Sequence, residues 1–346
     1  MSRRARRARR RRWAWVGVGL ALVGVVVAAR ALIGPAGSTG GDGRAVARTR
    51  PTTAGSAPST AVTTVVTDGS PPTTAAPPGP PYAVEVARTT VVDPTRPTAA
   101  RGPTPAASGR TLPVTVYVPR TPGPVPLVVF AHGYAIAAAD YADLLRDLAA
   151  AGFVVAAPDF PLSSTVFPGP PTQADIDEQA RDVAFLVAAF TDGTATGPWQ
   201  GRIAAGEAGV VGHSDGANTV VRAASNSCCV TTRIGAAVAL AGDEGATGGT
   251  WGVPGAPPML FLQGTADTVN PWAFSQQLYD DAAAPKTLVA IAAGEHLRPF
   301  TTGPQRPAVV ALVAAFLRGH LAADADALAR AADLANRDDL QVRASS

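Results

Sequence analysis

Cysteine, lysine and aromatic residues are scarce in this chain of 346 residues. The two cysteines, Cys228 and Cys229, are adjacent, which excludes both a conventional disulfide framework and a cysteine-rich zinc site. Adjacent cysteines can close a small strained ring in an oxidising compartment, but we expect two buried thiols with no catalytic role. Lys286 is the only lysine, and aromatic residues make up 6% of the chain.

Basic charge is concentrated at the N-terminus. Eight arginines lie within residues 1–12, and without them the formal net charge of +3 becomes negative. The rest of the chain therefore has no basic face of the kind that binds nucleic acid, and we expect no nucleic-acid partner. Taken alone, the N-terminal arginines could form a basic arm that binds nucleic acid, but the apolar run that follows them argues against this interpretation.

A single transmembrane signal-anchor helix is predicted over residues 13–33. Residues 13–29 carry no charge and would span about 26 Å as a helix, and extension to Ile33 covers the roughly 30 Å of a bilayer core. The arginines place residues 1–12 in the cytoplasm and everything after the helix outside the plasma membrane. A cleaved signal peptide ending near Ala29-Arg30-Ala31, with a secreted product, is the alternative.

Three further regions follow the predicted helix. Residues 34–81 are rich in Gly, Pro, Thr and Ser and predict a disordered linker, because they offer too little apolar surface to bury. Residues 82–325 predict one folded domain. Residues 326–346 predict a helical or frayed tail.

The folded region predicts an α/β architecture. Two alternating strands come first, and continuous apolar strands then alternate with helices, which indicates a mostly parallel sheet with helices on both faces. The predicted strands are 83–92, 111–118, 126–131, 153–157, an elbow strand before Ser214, 234–240, 258–263 and 286–291, and the helices are 140–151, 172–190, one after Ser214 and 307–320.

A nucleophile elbow is predicted at Gly212-His213-Ser214-Asp215-Gly216. The G-x-S-x-G pattern is weak alone, but here a buried strand precedes it and a helix-compatible segment follows it. In that context the glycines let strand and helix approach closely and the serine hydroxyl faces a pocket.

A serine nucleophile needs a base and an orienting acid after it in the chain. His296 directly follows the last parallel strand and is the predicted base, whereas His320 lies in the terminal helix, where a solvated role is expected. Asp267 follows a buried strand in a tight loop and is the predicted acid. Asp243, which follows the preceding strand, is its competitor.

Backbone N–H groups of Tyr134 and Asp215 are the predicted oxyanion hole. Gly133 lets the chain turn closely before Tyr134, and Asp215 follows the nucleophile at a helix N-terminus. A carboxylate beside an oxyanion would oppose it, so we expect the Asp215 side chain to point away or to be paired. We expect His132 to support its loop through hydrogen bonds.

These motifs together resemble the α/β-hydrolases around bacterial polyester hydrolases, platelet-activating-factor acetylhydrolases, dienelactone hydrolases and chlorophyllases. The resemblance rests on His132-Gly133-Tyr134, residues 141–161, the elbow, and residues 263–267 in that order, and covers about residues 82–320. It implies an α/β-hydrolase fold with Ser214, Asp267 and His296 as the catalytic triad. In the polyester hydrolases a Met typically follows the nucleophile, so Asp215 at this position argues against a hydrophobic polymer as substrate.

The sequence therefore predicts a membrane-tethered, extracytoplasmic serine hydrolase of carboxylic esters, with a small-molecule or lipid-like ester as substrate. Tyr134 and Phe167 are expected to line the substrate pocket, and neither a cofactor nor a metal is expected. The catalytic domain is expected to be monomeric. A catalytically idle binding module and an amide or peptide hydrolase with the same triad are the alternatives.

Overall fold

A computed structural model of the protein describes residues 81–243, 249–283, 285–337 and 339–346. Its strands are β1 Val84–Asp93, β2 Arg110–Pro119, β3 Leu127–Ala131, β4 Val154–Pro158, β5 Ala208–His213, β6 Ile234–Leu240, β7 Met259–Gly264, β8 Lys286–Ile291 and β9 Leu340–Ser345. Its helices are α1 Ala142–Ala150, α2 Ile176–Thr191, α3 Asp215–Ser225, α4 Trp272–Asp281, α5 Arg306–Leu321 and α6 Ala325–Leu334, with short 3₁₀ turns at Ala138–Tyr141 and Arg298–Phe300.

The strands form one sheet in the order β1-β2-β4-β3-β5-β6-β7-β8-β9. The strands from β4 across to β8 run parallel to one another, and antiparallel pairs occur at the two ends, where β2 joins β1 and β4, and β9 joins β8. The predicted α/β architecture, with two antiparallel entry strands before a mostly parallel sheet, is therefore confirmed. Parallel strands bring their carboxyl ends to a common edge, where ligand sites of such sheets lie.

Two apolar clusters cover the two faces of the sheet. One packs α2, α3 and α4 against side chains such as Val129 and Phe261, and the other packs α1, α5 and α6 against side chains such as Val128 and Leu260. Neighbouring residues of one strand thus enter opposite clusters, because strand side chains alternate between faces. This double burial explains why the central strands are apolar throughout.

A buried ionic cluster fixes the start of α2 to the end of the β1–β2 hairpin. Arg110 donates hydrogen bonds to Asp182 at 2.6 Å and to Asp175 at 2.8 Å, and Arg96 reaches Asp182 at 2.6 Å. Burial works against the charged form of Arg110, but its hydrogen bonds to Asp182 and Asp175 raise the pKa of the guanidinium. The charge pairs thus hold α2 in place beside α3, the helix that follows the predicted nucleophile.

The structure differs from the predicted elements at two places. The sequence patterns do not predict α4, whose apolar residues are interrupted by polar ones. The tail 326–346, predicted to be helical or frayed, continues α6 and then forms β9, which extends the sheet beyond β8. The short alternation in β9 gives little signal alone, and β8 supplies the hydrogen bonds that order it.

No helix within the described ranges is long and apolar enough to cross a membrane. The predicted transmembrane helix 13–33, the cytoplasmic segment 1–12 and nearly all of the linker 34–81 lie outside those ranges, so these three assignments stay predictions.

Candidate active site

Ser214 occupies a sharp turn between the end of β5 and the start of α3. Its backbone has φ 57° and ψ −124°, a conformation that side-chain-bearing residues rarely adopt and that is retained where surrounding structure enforces it. The Ser214 N–H is held by the carbonyl of Leu240 at 2.9 Å, and the Ser214 carbonyl accepts the N–H of Ala217 at 2.8 Å. These contacts fix the serine at the carboxyl edge of the sheet.

Two glycines of the elbow allow this turn through close backbone packing. A Cβ on Gly212 would lie 2.0 Å from the Gly216 carbonyl oxygen, and a Cβ on Gly216 would lie 2.1 Å from the Ala131 carbonyl oxygen. Neither gap admits a side chain, so strand β5, helix α3 and strand β3 approach as closely as only glycine permits. The strand–turn–helix context predicted for the motif is present.

A continuous hydrogen-bonded chain joins Ser214, His296 and Asp267. The Ser214 Oγ lies 3.0 Å from His296 Nε2, and His296 Nδ1 lies 2.8 Å from Asp267 Oδ2. A carboxylate only accepts, so Nδ1 carries the proton and Nε2 is free to accept from the serine hydroxyl. The structure thus brings the three predicted residues together from loops that follow β5, β7 and β8.

The carboxylate of Asp267 is held by further donors. Its Oδ1 accepts the N–H groups of Val269 and Asn270 at 2.8 and 2.9 Å, and Gln263 Nε2 donates to Oδ2 at 2.9 Å. Burial alone would raise the pKa of this carboxyl, but the His296 contact and the two N–H groups lower it below its ordinary value. Asp267 is therefore ionised where it meets the imidazole.

The competing candidates lie elsewhere. Asp243 accepts a hydrogen bond from Asn218 Nδ2, and its own N–H donates to Asn218 Oδ1 at 3.2 Å. His320 lies in α5 with its ring against Phe316, 4.6 Å between centroids, and burial lowers its pKa. The geometry therefore favours Asp267 and His296 over both.

Tyr134 and Asp215, the predicted oxyanion-hole residues, follow Gly133 and Ser214 directly in the chain. Gly133 approaches so closely that a Cβ there would lie 3.2 Å from the Ser214 Cβ. Among the described residues, neither the Tyr134 nor the Asp215 N–H donates to a protein acceptor. Asp215 is also the first residue of α3, where the helix dipole favours an anion. The assignment of the two N–H groups to an oxyanion hole stays a prediction.

The Asp215 side chain is turned inward and paired, as predicted. It is 3% exposed, and the Gln173 amide nitrogen donates to its two oxygens at 3.0 and 3.1 Å. Burial and the nearby Asp243 carboxylate raise the pKa of Asp215 to about 7, against the smaller lowering effect of Gln173. A neutral Asp215 carboxyl does not oppose negative charge on a neighbouring oxygen.

His132 supports the loop that carries Tyr134, as predicted. Phe160 donates its N–H to His132 Nε2 at 3.0 Å, so the proton lies on Nδ1, which donates to the Gly133 carbonyl at 2.7 Å. The Tyr134 hydroxyl donates to the Pro171 carbonyl at 3.0 Å, which ties this loop to the segment before α2.

Phe167 lines a mostly apolar cavity of about 180 Å³ between the β1–β2 loop and residues 161–167. Ser214, Asp267 and His296 are not among the described residues that line this cavity. Its predicted role in substrate binding stays a prediction.

Cys228 and Cys229 are joined to each other, so the expectation of two free thiols was wrong. Their turn follows α3, where Cys228 donates its N–H to Asn226 Oδ1 at 2.9 Å. Together with Asp177 they form the one group of three potential metal ligands found within the described ranges, but the two sulfurs are bonded to each other.

Several residues of the site have no role predicted from sequence. Gln263 and Gln173 support the two aspartates, and His213 and Tyr141 form a hydrogen-bonded pair at the elbow. Gln263 is a polar residue near the end of the buried strand β7, and this position could have indicated its role from sequence. Gln173 is 42 positions from Asp215, and nothing local connects them.

The order of strands and the strand–turn–helix at Ser214 define an α/β-hydrolase. Residues 90–260 match the family model described as chlorophyllase, a family within that superfamily. The chain therefore has an α/β-hydrolase fold and is similar to chlorophyllases over residues 90–260, as the sequence resemblance predicted. The matched region includes Tyr134 and Ser214 and stops before Asp267 and His296. No curated protein matches the chain.

Proposed function

We propose that the protein is a serine hydrolase that cleaves carboxylic esters through an acyl-enzyme intermediate. The observation that carries this proposal is the chain of hydrogen bonds from Asp267 through His296 to Ser214 at the elbow. The similarity to chlorophyllases supports hydrolase chemistry and favours an ester as the bond that is cleaved.

Acylation begins with His296 Nε2 taking the proton of the Ser214 hydroxyl as its oxygen attacks the ester carbonyl carbon. The tetrahedral intermediate collapses, His296 returns the proton to the leaving alkoxide, and an alcohol departs. Water then repeats the sequence on the acyl-serine and releases the carboxylic acid. Asp267 holds the imidazole in the tautomer that this exchange needs and stabilises the imidazolium.

The N–H groups of Tyr134 and Asp215 would stabilise the oxyanion. A well-aligned donor of this kind lowers the barrier by about 3 kcal/mol, and the N-terminus of α3 adds a favourable field. The raised pKa of Asp215 supports this role because it keeps a neighbouring carboxyl neutral below about pH 7.

Turnover of p-nitrophenyl esters tests the proposal on a protein that begins near Tyr82, with Ser214→Ala as the matched control. We expect the unmodified protein to release p-nitrophenol and the variant to lose this activity, because the variant lacks the attacking oxygen. Equal rates for both would refute the serine mechanism. Cleavage of p-nitroanilides but not esters would favour an amide hydrolase, and no turnover with either would favour an idle binding module.

We also propose that residues 13–33 anchor the enzyme in the plasma membrane, with the hydrolase domain outside and lipid-like or small-molecule esters as substrates. The uncharged run after eight arginines supports this proposal. The full-length protein should remain in the membrane fraction after alkaline carbonate extraction. Release into the soluble fraction as a shortened chain would instead indicate a cleaved signal peptide.

A further inference from the structure

His213 and Tyr141 link three segments of the site through buried hydrogen bonds. His213 Nε2 lies 2.8 Å from the carbonyl oxygen of His296, and His213 Nδ1 lies 2.7 Å from the Tyr141 hydroxyl. The same hydroxyl oxygen accepts the Gly133 N–H at 3.3 Å. We refer to these three hydrogen bonds, which join Gly133, Tyr141, His213 and His296, as the His213 relay.

We infer that His213 is a positioning residue for the proposed ester hydrolysis, acting through the relay to hold the loop of His296 against the elbow and the oxyanion loop. This role rests on the proposed function. His213 makes no hydrogen bond to a reacting atom, because its hydrogen-bond partners are a backbone carbonyl and a phenol hydroxyl.

Every proton in the relay has one possible location. The His296 carbonyl only accepts, so the His213 proton lies on Nε2. Nδ1 must then accept from the Tyr141 hydroxyl, and this leaves the Tyr141 oxygen to accept from Gly133. A chain of hydrogen bonds in which each donor and acceptor is fixed restricts the orientation of its side chains more than one in which donors and acceptors can exchange.

His213 and Tyr141 of the relay are buried, which keeps His213 neutral with its proton on Nε2. His213 is 2% exposed, and its ring packs against Phe300 and His296 with centroid distances of 5.1 and 4.7 Å. Burial and the neighbouring His296 lower the pKa of His213 to about 3, so Nδ1 remains an acceptor at neutral pH. Burial likewise raises the pKa of Tyr141, which keeps its hydroxyl a donor.

Three residues of the relay lie at working groups of the site, and Tyr141 links two of them. Gly133 precedes Tyr134, His213 precedes Ser214, and the third contact is to the backbone of His296 itself. These segments are about 80 positions apart in the chain, so their relative placement depends on tertiary contacts. A displacement of about 1 Å between reacting groups can cost about 100-fold in rate, so the relay should affect kcat more than KM.

Paired substitutions at His213 test the inference. In His213→Gln the longer side chain places an amide near Nε2 and keeps a donor for the His296 carbonyl, whereas His213→Asn places its amide near Nδ1 and cannot reach it. We expect His213→Asn to lower kcat for a p-nitrophenyl ester by about 10- to 100-fold with KM unchanged. His213→Gln should recover part of that loss.

Tyr141→Phe tests the other end of the relay while keeping the ring that packs on Phe130. Its kcat should also fall with KM unchanged. Tyr279→Phe is the matched control, because it removes a hydroxyl from another buried tyrosine outside the relay, and it should leave kcat as it is. Tyr141→Phe also provides the decisive comparison if the His213 variants do not fold.

Two results would overturn the inference. One is a wild-type kcat in both His213→Asn and Tyr141→Phe. The other is a loss that is equal in His213→Asn and His213→Gln and simply follows their free energies of unfolding in urea. The wild-type and Ser214→Ala measurements separate these results from failure of the proposed function, since that failure removes ester turnover from the unmodified protein as well.

Discussion

Asp215 combines two opposed properties in one residue. Its N–H is proposed to receive an oxyanion, while its carboxyl is buried near Asp243 and, among the described residues, accepts hydrogen bonds from the neutral Gln173 amide. In such surroundings the protonated carboxyl has a lower free energy than the carboxylate, because the carboxylate loses its hydration and gains no neighbouring cation. The aspartate after the nucleophile is therefore compatible with catalysis near neutral pH and less so above it.

Asp215→Asn should remove a pH dependence of stability. With a native pKa of about 7 and an ordinary value near 4 when unfolded, the native state holds a proton that the unfolded chain releases between those values. The stabilisation is complete below about pH 4 and is lost as pH rises through 7, at a total of about 4 kcal/mol.

Urea unfolding of both proteins at pH 4.5 and pH 8 measures this effect. The free energy of unfolding should fall more for the wild type than for Asp215→Asn, because other titrating groups are common to both. Parallel changes in the two proteins would show that Asp215 ionises at its ordinary pKa.

The principal side chains of the site could be predicted from sequence because each directly follows a strand. Ser214, Asp267 and His296 occur in the chain order of the fold, and parallel strands bring their carboxyl ends to one edge. The supporting contacts could not be predicted in the same way. The His213–Tyr141 bond joins residues 72 positions apart, and only the packed structure shows that they meet.

At the scale of elements, helix α2 supports α3 through buried polar contacts. Gln179 of α2 accepts from Thr219 of α3 at 3.2 Å, and the ionic cluster of Arg110, Asp175 and Asp182 fixes the start and middle of α2. Asp182 has no exposed surface and Asp175 very little, so both depend on arginine partners for their charge. The positions of strands and helices follow from apolar patterning, but no local pattern reveals this cluster.

Arg110→Met should destabilise the protein by about 3–5 kcal/mol, because it leaves Asp175 and Asp182 buried with an incomplete set of partners. Arg233→Met is the matched control, since Arg233 forms an exposed pair with Asp192 and water screens such pairs so that they add little to stability. Urea unfolding of both variants measures the difference. Equal losses would mean that the buried cluster contributes no more than a surface ion pair.

At the scale of the whole molecule, the C-terminal residues complete the sheet that carries the site. Strand β9 pairs with β8, the strand that leads to His296, and the Ala292 N–H donates to the Asp339 carbonyl at 2.9 Å. An unpaired β8 would be an exposed edge. The sequence does not predict β9, because the only large apolar residues in that strand are Leu340 and Val342.

Leu340→Asp should lower Tm, whereas Gln341→Asp should leave it nearly unchanged. Leu340 is buried and its neighbour Gln341 is exposed. The new carboxylate would therefore be buried at position 340 and hydrated at position 341. For a domain of this size each kcal/mol lost lowers Tm by about 2–4 °C, and burial of a charge costs several kcal/mol. Thermal melts with no change in either variant would indicate that the tail does not pack against the domain.

In the proposed mechanism Ser214 is a nucleophile that His296 activates. A fluorophosphonate should form one covalent adduct on Ser214, located by mass spectrometry of the digested protein. His296→Ala should slow this labelling by several orders of magnitude at unchanged thermal stability, and Ser214→Ala should abolish it. An adduct on another residue, or labelling of Ser214 at the same rate with and without His296, would contradict the account.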